Sequence, residues 1–179
     1  MFKYLLIFFC LSIFQKDTQT AITWSEDYKL KWSDFKGQPD YNTKASAITA
    51  AGLSYRYSLQ KRGRDIVGFK SDISALFYPE YSWFKSDEIS NHILAHEQVH
   101  FDITELHARY FRARAAQLTA SNTIVEDLKF VHDSINKALE IMQRQYDQES
   151  QFSLDKEGQM FWSKHVALAL KKTSSYKTP

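Results

Sequence analysis

His96, Glu97 and His100 lie in the stretch HILAHEQVHFDITELHARYF and spell H-E-x-x-H. At positions i and i+4 the two imidazoles fall on one face of a helix, one turn apart. They can therefore converge on a single zinc ion, leaving room for one more side chain and a water. Glu97, between them, has the position of a general base that takes a proton from metal-activated water.

A zinc site of this kind needs a third protein ligand. Downstream, Ile124, Leu128, Val131, Ile135, Leu139 and Met142 recur at helical spacing. With Ser121-Asn122 as the only connection, this helix returns antiparallel to the first. The level of His96 and His100 then faces residues 144–148, where Asp147 and Glu149 are the nearby acids. Counting inward from Ile135 through Ala138, Met142 and Tyr146 (or Gln145) leads to Glu149. Asp147 falls with Glu140 and Gln143 on the solvated face. Glu149 is thus the expected third ligand, with Asp147 as the substitute if the helix breaks early.

The remaining polar residues carry plainer readings. His92 shares the stripe, but His92 and His100 are about 12 Å apart along the axis, too far to serve one ion with His96. His107 is about 10 Å beyond His100 and is excluded on the same ground. Asp102 is either an acceptor for the second N–H of a ligating histidine or one of a surface pair. Glu105 with Arg109 fits an i,i+4 surface pair. Tyr146 is either a polarising group or a core tyrosine. His132 and His165 receive no role.

The elements that must position these groups divide the chain in two. Before residue 86 the pattern is β-rich. Tyr28–Trp32 alternates like a strand, and 47–60 and 65–78 read as two strands joined across Gly63. Leu53, Tyr55, Tyr57 and Leu59 share one face. Three or four antiparallel strands are expected. The second half is helical. Ser86 or Asp87 caps a first helix running from about Glu88 to about Ala120, with an inward stripe from Ile89 to Tyr110. Ser153 caps a third helix with Phe161, Trp162 and Leu168 on its apolar face, and residues 173–179 fray. The expected fold class is α+β: a small antiparallel sheet, a helical hairpin carrying H-E-x-x-H, and a third helix.

The chain has 179 residues, 44% hydrophobic and 15% aromatic, which suits one globular domain. A formal charge of +2 and no basic stripe argue against a nucleic-acid partner. Residues 1–20 differ from the rest. A lysine near the start and the apolar run YLLIFFCLSIF match a signal peptide and are short for a membrane span. Export to the periplasm or the exterior is expected. The alternatives are an uncleaved anchor, with membrane attachment through this N-terminal segment alone, or a lipoprotein site at Cys10. Cys10 is the only cysteine and leaves with the signal, so the mature chain has no thiolate chemistry. Residues 21–172 then form the single functional domain.

Three segments also carry a likeness. Lys31-Trp32-Ser33-Asp34-Phe35, then LAHEQVHFD, then Tyr146-Asp147-Gln148-Glu149-Ser150, followed by Gln159 and Trp162, occur in that order. The chain resembles a family of exported bacterial proteins described as zinc-dependent proteases, with W-S-D-F, H-E-Q-x-H-F-D and Y-D-x-E-T motifs. That resemblance implies a zincin-like fold, Zn²⁺ on His96 and His100, Glu97 as base, and a part for the 146–149 segment. Ser150 replaces the threonine, and Phe152 stands where the family pattern often has histidine. The expected function is a metallopeptidase acting on a peptide or protein. The Phe152 departure motivates the alternative, a non-catalytic exported binding module on the same scaffold.

Overall fold

The computed structural model describes residues 21–178, and the expected signal peptide lies outside them. Five strands come first: β1 (Ile22–Thr23), β2 (Ala47–Ile48), β3 (Ala51–Arg62), β4 (Asp65–Phe77) and β5 (Trp83–Phe84). Three helices follow: α1 (Asn91–Ala115), α2 (Ile124–Glu149) and α3 (Lys156–Lys172). The fold is α+β, a small antiparallel sheet followed by helices. Among the described residues no helix is long and apolar enough to cross a membrane.

The β3–β4 hairpin forms where alternation predicts it. Gly63, at φ +62°, supplies the left-handed residue of the turn. Ala51 pairs with Phe77 and Arg62 with Asp65, with one irregularity between Gln60 and Lys61. Sheet order is β1-β4-β3, which makes β3 an outer strand. β2 and β5 form a separate two-stranded ladder. Leu53, Tyr55 and Leu59 face the core as expected. Tyr57 lies further out and is largely exposed.

The expected strand at Tyr28–Trp32 is absent. Asp34 accounts for this, because its carboxylate accepts from the Lys31 amide (2.7 Å) and the Tyr28 hydroxyl (2.8 Å). Such local bonds compete with a ladder, and Trp32–Asp34 becomes a 3₁₀ turn instead. Trp32 and Phe35 then pack with Phe84, so the W-S-D-F segment buttresses the core.

α1 is the central element, packed against the hairpin on one side and against α2 and α3 on the other. Ser90 is its cap, accepting from the Ile93 amide at 3.1 Å, a few residues later than expected. Phe101, Ile103, Leu106, Ala108 and Phe111 are all buried, as befits a helix covered nearly all round. The single stripe from Ile89 to Tyr110 therefore understates its buried surface, and those two end residues are exposed. Glu105 is buried rather than on the surface. It accepts from Arg109 Nε (2.8 Å) and Arg112 Nη1 (3.0 Å). Arg109 goes on to the Leu170 carbonyl of α3 and Arg112 to the Ile73 carbonyl of β4, tying three elements together.

α3 begins at Asp155, whose carboxylate accepts from the Glu157 and Gly158 amides (3.0 and 3.1 Å). Ser153 cannot cap, because it is left-handed (φ +71°) where a cap is extended. Gln151 and Phe152 are left-handed too, so the chain reverses between α2 and α3 through three successive positive φ angles. The approach is close: a Cβ on Gly158 would stand 2.3 Å from the Glu149 carbonyl oxygen. The tail also departs from expectation. Ser174–Tyr176 forms a 3₁₀ turn, and the Tyr176 carbonyl accepts from Arg112 at 2.8 Å.

Candidate metal centre

Two turns of α1 and the last turn of α2 meet at His96, His100 and Asp147, three residues able to hold a metal ion. His96 Nε2 and His100 Nε2 are 3.2 Å apart, and Asp147 Oδ1 is 3.2 Å from the first and 2.9 Å from the second. Four ligands at zinc's usual 2.0–2.1 Å in a tetrahedron have mutual separations of about 3.3 Å. The three donor atoms thus match one face of a tetrahedron of that size, and their types, two imidazoles and a carboxylate, suit a divalent transition-metal ion.

The surroundings fix these donors. Gln143 is one turn before Asp147 on α2. Its Oε1 accepts from His100 Nδ1 at 2.5 Å, while its Nε2 donates to the His100 carbonyl at 2.9 Å. The amide therefore grips ring and backbone of one residue and leaves the His100 Nε2 lone pair for an ion. Tyr146 stacks on the His96 ring (4.5 Å between centroids, 25°) and donates its hydroxyl to the His96 carbonyl at 3.3 Å. It is a buried core tyrosine.

Charge follows this geometry. Burial pushes the Asp147 pKa up, but hydrogen bonds from His100 and His96 and their charge outweigh it, leaving it well below the carboxylate range. Burial pulls His100 down, yet the Asp147 bond, the Glu97 charge and Gln143 leave it above 6.5. Burial, with the charges of Glu97 and Asp147, raises Tyr146 far above its ordinary value. Glu97 is itself buried, and its Oε2 has no hydrogen-bond partner. It is a buried acceptor on the same turn as both histidines.

Residues 34–153 match a family model described as a bacterial protein of unknown function (DUF922). The chain belongs to that family. The match takes in α1 and α2, and so every residue of the candidate metal centre described above, and stops at Ser153 before α3. Comparison with curated proteins and with solved structures gave no match.

The expected third ligand, Glu149, stands elsewhere. It is exposed, and its carboxylate accepts from Trp162 Nε1 of α3 and from Gln145 Nε2, each at 2.8 Å. Asp147, the substitute, is the acid brought to the histidines. The count from Ile135 assumed one inward face. At this end α2 has two: Glu149 turns toward α3, Gln143 and Asp147 turn toward α1, and Tyr146 lies between, against both His96 and Trp162. The i,i+4 pair Gln143–Asp147, level with the motif, was the available signal, and Gln143 was missed because it was assigned to solvent.

The other polar residues hold structure. Asp102 accepts from Trp24 Nε1 (2.7 Å) and Gln98 Nε2 (2.8 Å) and touches neither ligating histidine. His107 Nδ1 donates to the Ile103 carbonyl at 2.9 Å. His92 Nε2 donates to the Ser153 carbonyl at 2.7 Å, which ties α1 to the reversal after α2. Phe152 is exposed on that reversal. An open groove of about 380 Å³ runs between Ala51–Gly52 of the outer strand and Asn136, Leu139 and Gln143 of α2.

Proposed function

We propose that the protein is an exported, zincin-like metallopeptidase. The observation that carries this reading is the triangle of His96, His100 and Asp147 donor atoms, 2.9 to 3.2 Å on an edge, beside a buried carboxylate with an unpartnered oxygen. Three protein ligands with an open fourth position are the pattern of catalytic zinc. A zinc ion bound there supplies Lewis acidity, polarising a carbonyl and acidifying water.

The chain's own groups do the rest. His96 and His100 bind as neutral imidazoles through Nε2, and Asp147 adds one negative charge. Glu97 accepts a proton from water at Oε2 and returns it to the departing amine. Gln143 keeps His100 in the tautomer that binding requires. The groove beside Gln143 suits an extended peptide, whose backbone can pair with the outer strand β3 as peptides do with exposed edges. Export rests on the apolar run within residues 1–20.

The test begins with metal content. About one zinc per chain is expected, lost in His100→Ala. Glu97→Gln should retain the metal and lose nearly all peptide turnover. A wild-type chain that takes up no zinc refutes the reading, and a fully active Glu97→Gln refutes its catalytic part.

A further inference from the structure

Two buried atoms with complementary chemistry stand unpartnered: Nδ1 of His96, a candidate metal ligand, and Oε1 of Gln159. Gln159 comes from α3, and its Nε2 donates to the His92 carbonyl at 2.9 Å. That carbonyl lies one turn before His96. A helical side chain leans back over the turn that precedes it, so an amide held on the His92 carbonyl sits beside the His96 ring.

His107 shows what His96 would otherwise do. The His107 Nδ1 donates to the carbonyl four residues earlier, at 2.9 Å. The equivalent carbonyl for His96 is that of His92, and Gln159 Nε2 has taken it. The same amide brings an unused acceptor, Oε1, in exchange. At His100 the corresponding arrangement is complete, with Gln143 Oε1 on Nδ1 and Gln143 Nε2 on a backbone carbonyl.

We infer that Gln159 is the positioning residue for His96, accepting its Nδ1–H through Oε1 when Nε2 binds a metal ion. A neutral imidazole that gives its Nε2 lone pair to a metal carries its proton on Nδ1, and a buried N–H there needs an acceptor. Rotation of the Gln159 amide within its site closes the bond while Tyr146 holds the ring in plane. Each ligating histidine then has its own glutamine, Gln143 from α2 and Gln159 from α3. α3 becomes part of the metal centre although it lies outside the family match. This inference rests on the metal-binding reading above.

The test is a competition titration with zinc on wild type, Gln159→Leu and Gln159→Glu, with melting of each metal-free chain. Gln159→Leu keeps the shape without the acceptor and should bind zinc about 10–100-fold more weakly. Gln159→Glu keeps an acceptor and should recover most of that loss, with both metal-free variants melting close to wild type. Nitrogen-15 NMR of zinc-loaded wild type should find His96 protonated at Nδ1 in slow exchange with solvent, a readout that needs no variant to fold. Equal losses in both variants, or an unprotonated Nδ1, overturn the inference. So does a Gln159→Leu chain that binds zinc as wild type does. If wild type itself binds no zinc, the metal reading fails and this inference fails with it.

Discussion

Asp147 and Glu149 are two residues apart on one helix, and exchanging their fates is a stringent trial of the centre. Asp147 Oδ1 closes the triangle with both imidazoles, whereas Glu149 is occupied by Trp162 and Gln145. An ion that binds only the folded chain stabilises it by about 2.7 kcal/mol at a free concentration 100 times its Kd. For a chain near this size each kcal/mol raises Tm by about 2–4 °C. Zinc should therefore raise the wild-type Tm by about 5–11 °C under those conditions. In Asp147→Ala the same zinc concentration should give almost no rise, because one of three protein ligands is gone. Glu149→Gln keeps an acceptor for Trp162 and should show the full rise, although its metal-free Tm can fall slightly. Differential scanning fluorimetry with and without chelator reads all three chains. A rise that survives in Asp147→Ala, or disappears in Glu149→Gln, refutes the assignment.

Three further outcomes follow from the geometry. Glu105→Gln strips the carboxylate from two arginines, one of them fully buried, and should destabilise by about 3–5 kcal/mol in urea unfolding; a loss below about 1 kcal/mol contradicts the buried pair. Gln151→Gly removes an exposed side chain from a left-handed position (φ +48°) and should stabilise by about 0.5–1 kcal/mol, the left-handed penalty less the entropy cost of glycine; a lower urea midpoint argues against this backbone conformation. His100 holds its proton to a higher pH than an ordinary histidine, so protons compete with metal from above pH 6.5 downward. Zinc affinity should accordingly begin to fall before pH 6.5 is reached from the alkaline side, and an affinity flat down to about pH 6 counts against the raised value.

Local pattern carried the helices, the hairpin and the pair His96–His100, because periodicity and i,i+4 spacing are properties of a short segment. Loss of the Tyr28–Trp32 strand is also local, yet hidden: alternation is plain in the sequence, whereas the Asp34 carboxylate competes only by folding back on the Lys31 amide and the Tyr28 hydroxyl. What stayed out of reach depends on how elements pack. Whether Asp147 or Glu149 turns toward the histidines is decided by α3, whose Trp162 claims Glu149. The burial of Glu105 depends on Leu170 and Ile73 supplying acceptors for its two arginines. The i,i+4 spacing of Gln143 and Asp147 is visible in the sequence, but which way Gln143 and Gln159 turn on their long helices is settled only once the helices are in place.

The covered course of α1 bears on how the protein matures. Apolar packing and the Glu105–arginine cluster hold that helix through residues other than His96, His100 and Asp147. A helix held in this way should not need a metal ion in order to fold, unlike a small zinc domain that folds only around its metal. Under the metal-binding proposal, folding comes first and loading last, and a chelator should empty the protein without unfolding it. For a chain exported as proposed, polypeptide and metal then travel separately, and the ion is drawn from the compartment where folding ends. Under that proposal the choice of ion is set there by local supply as well as by the chemistry of the ligands.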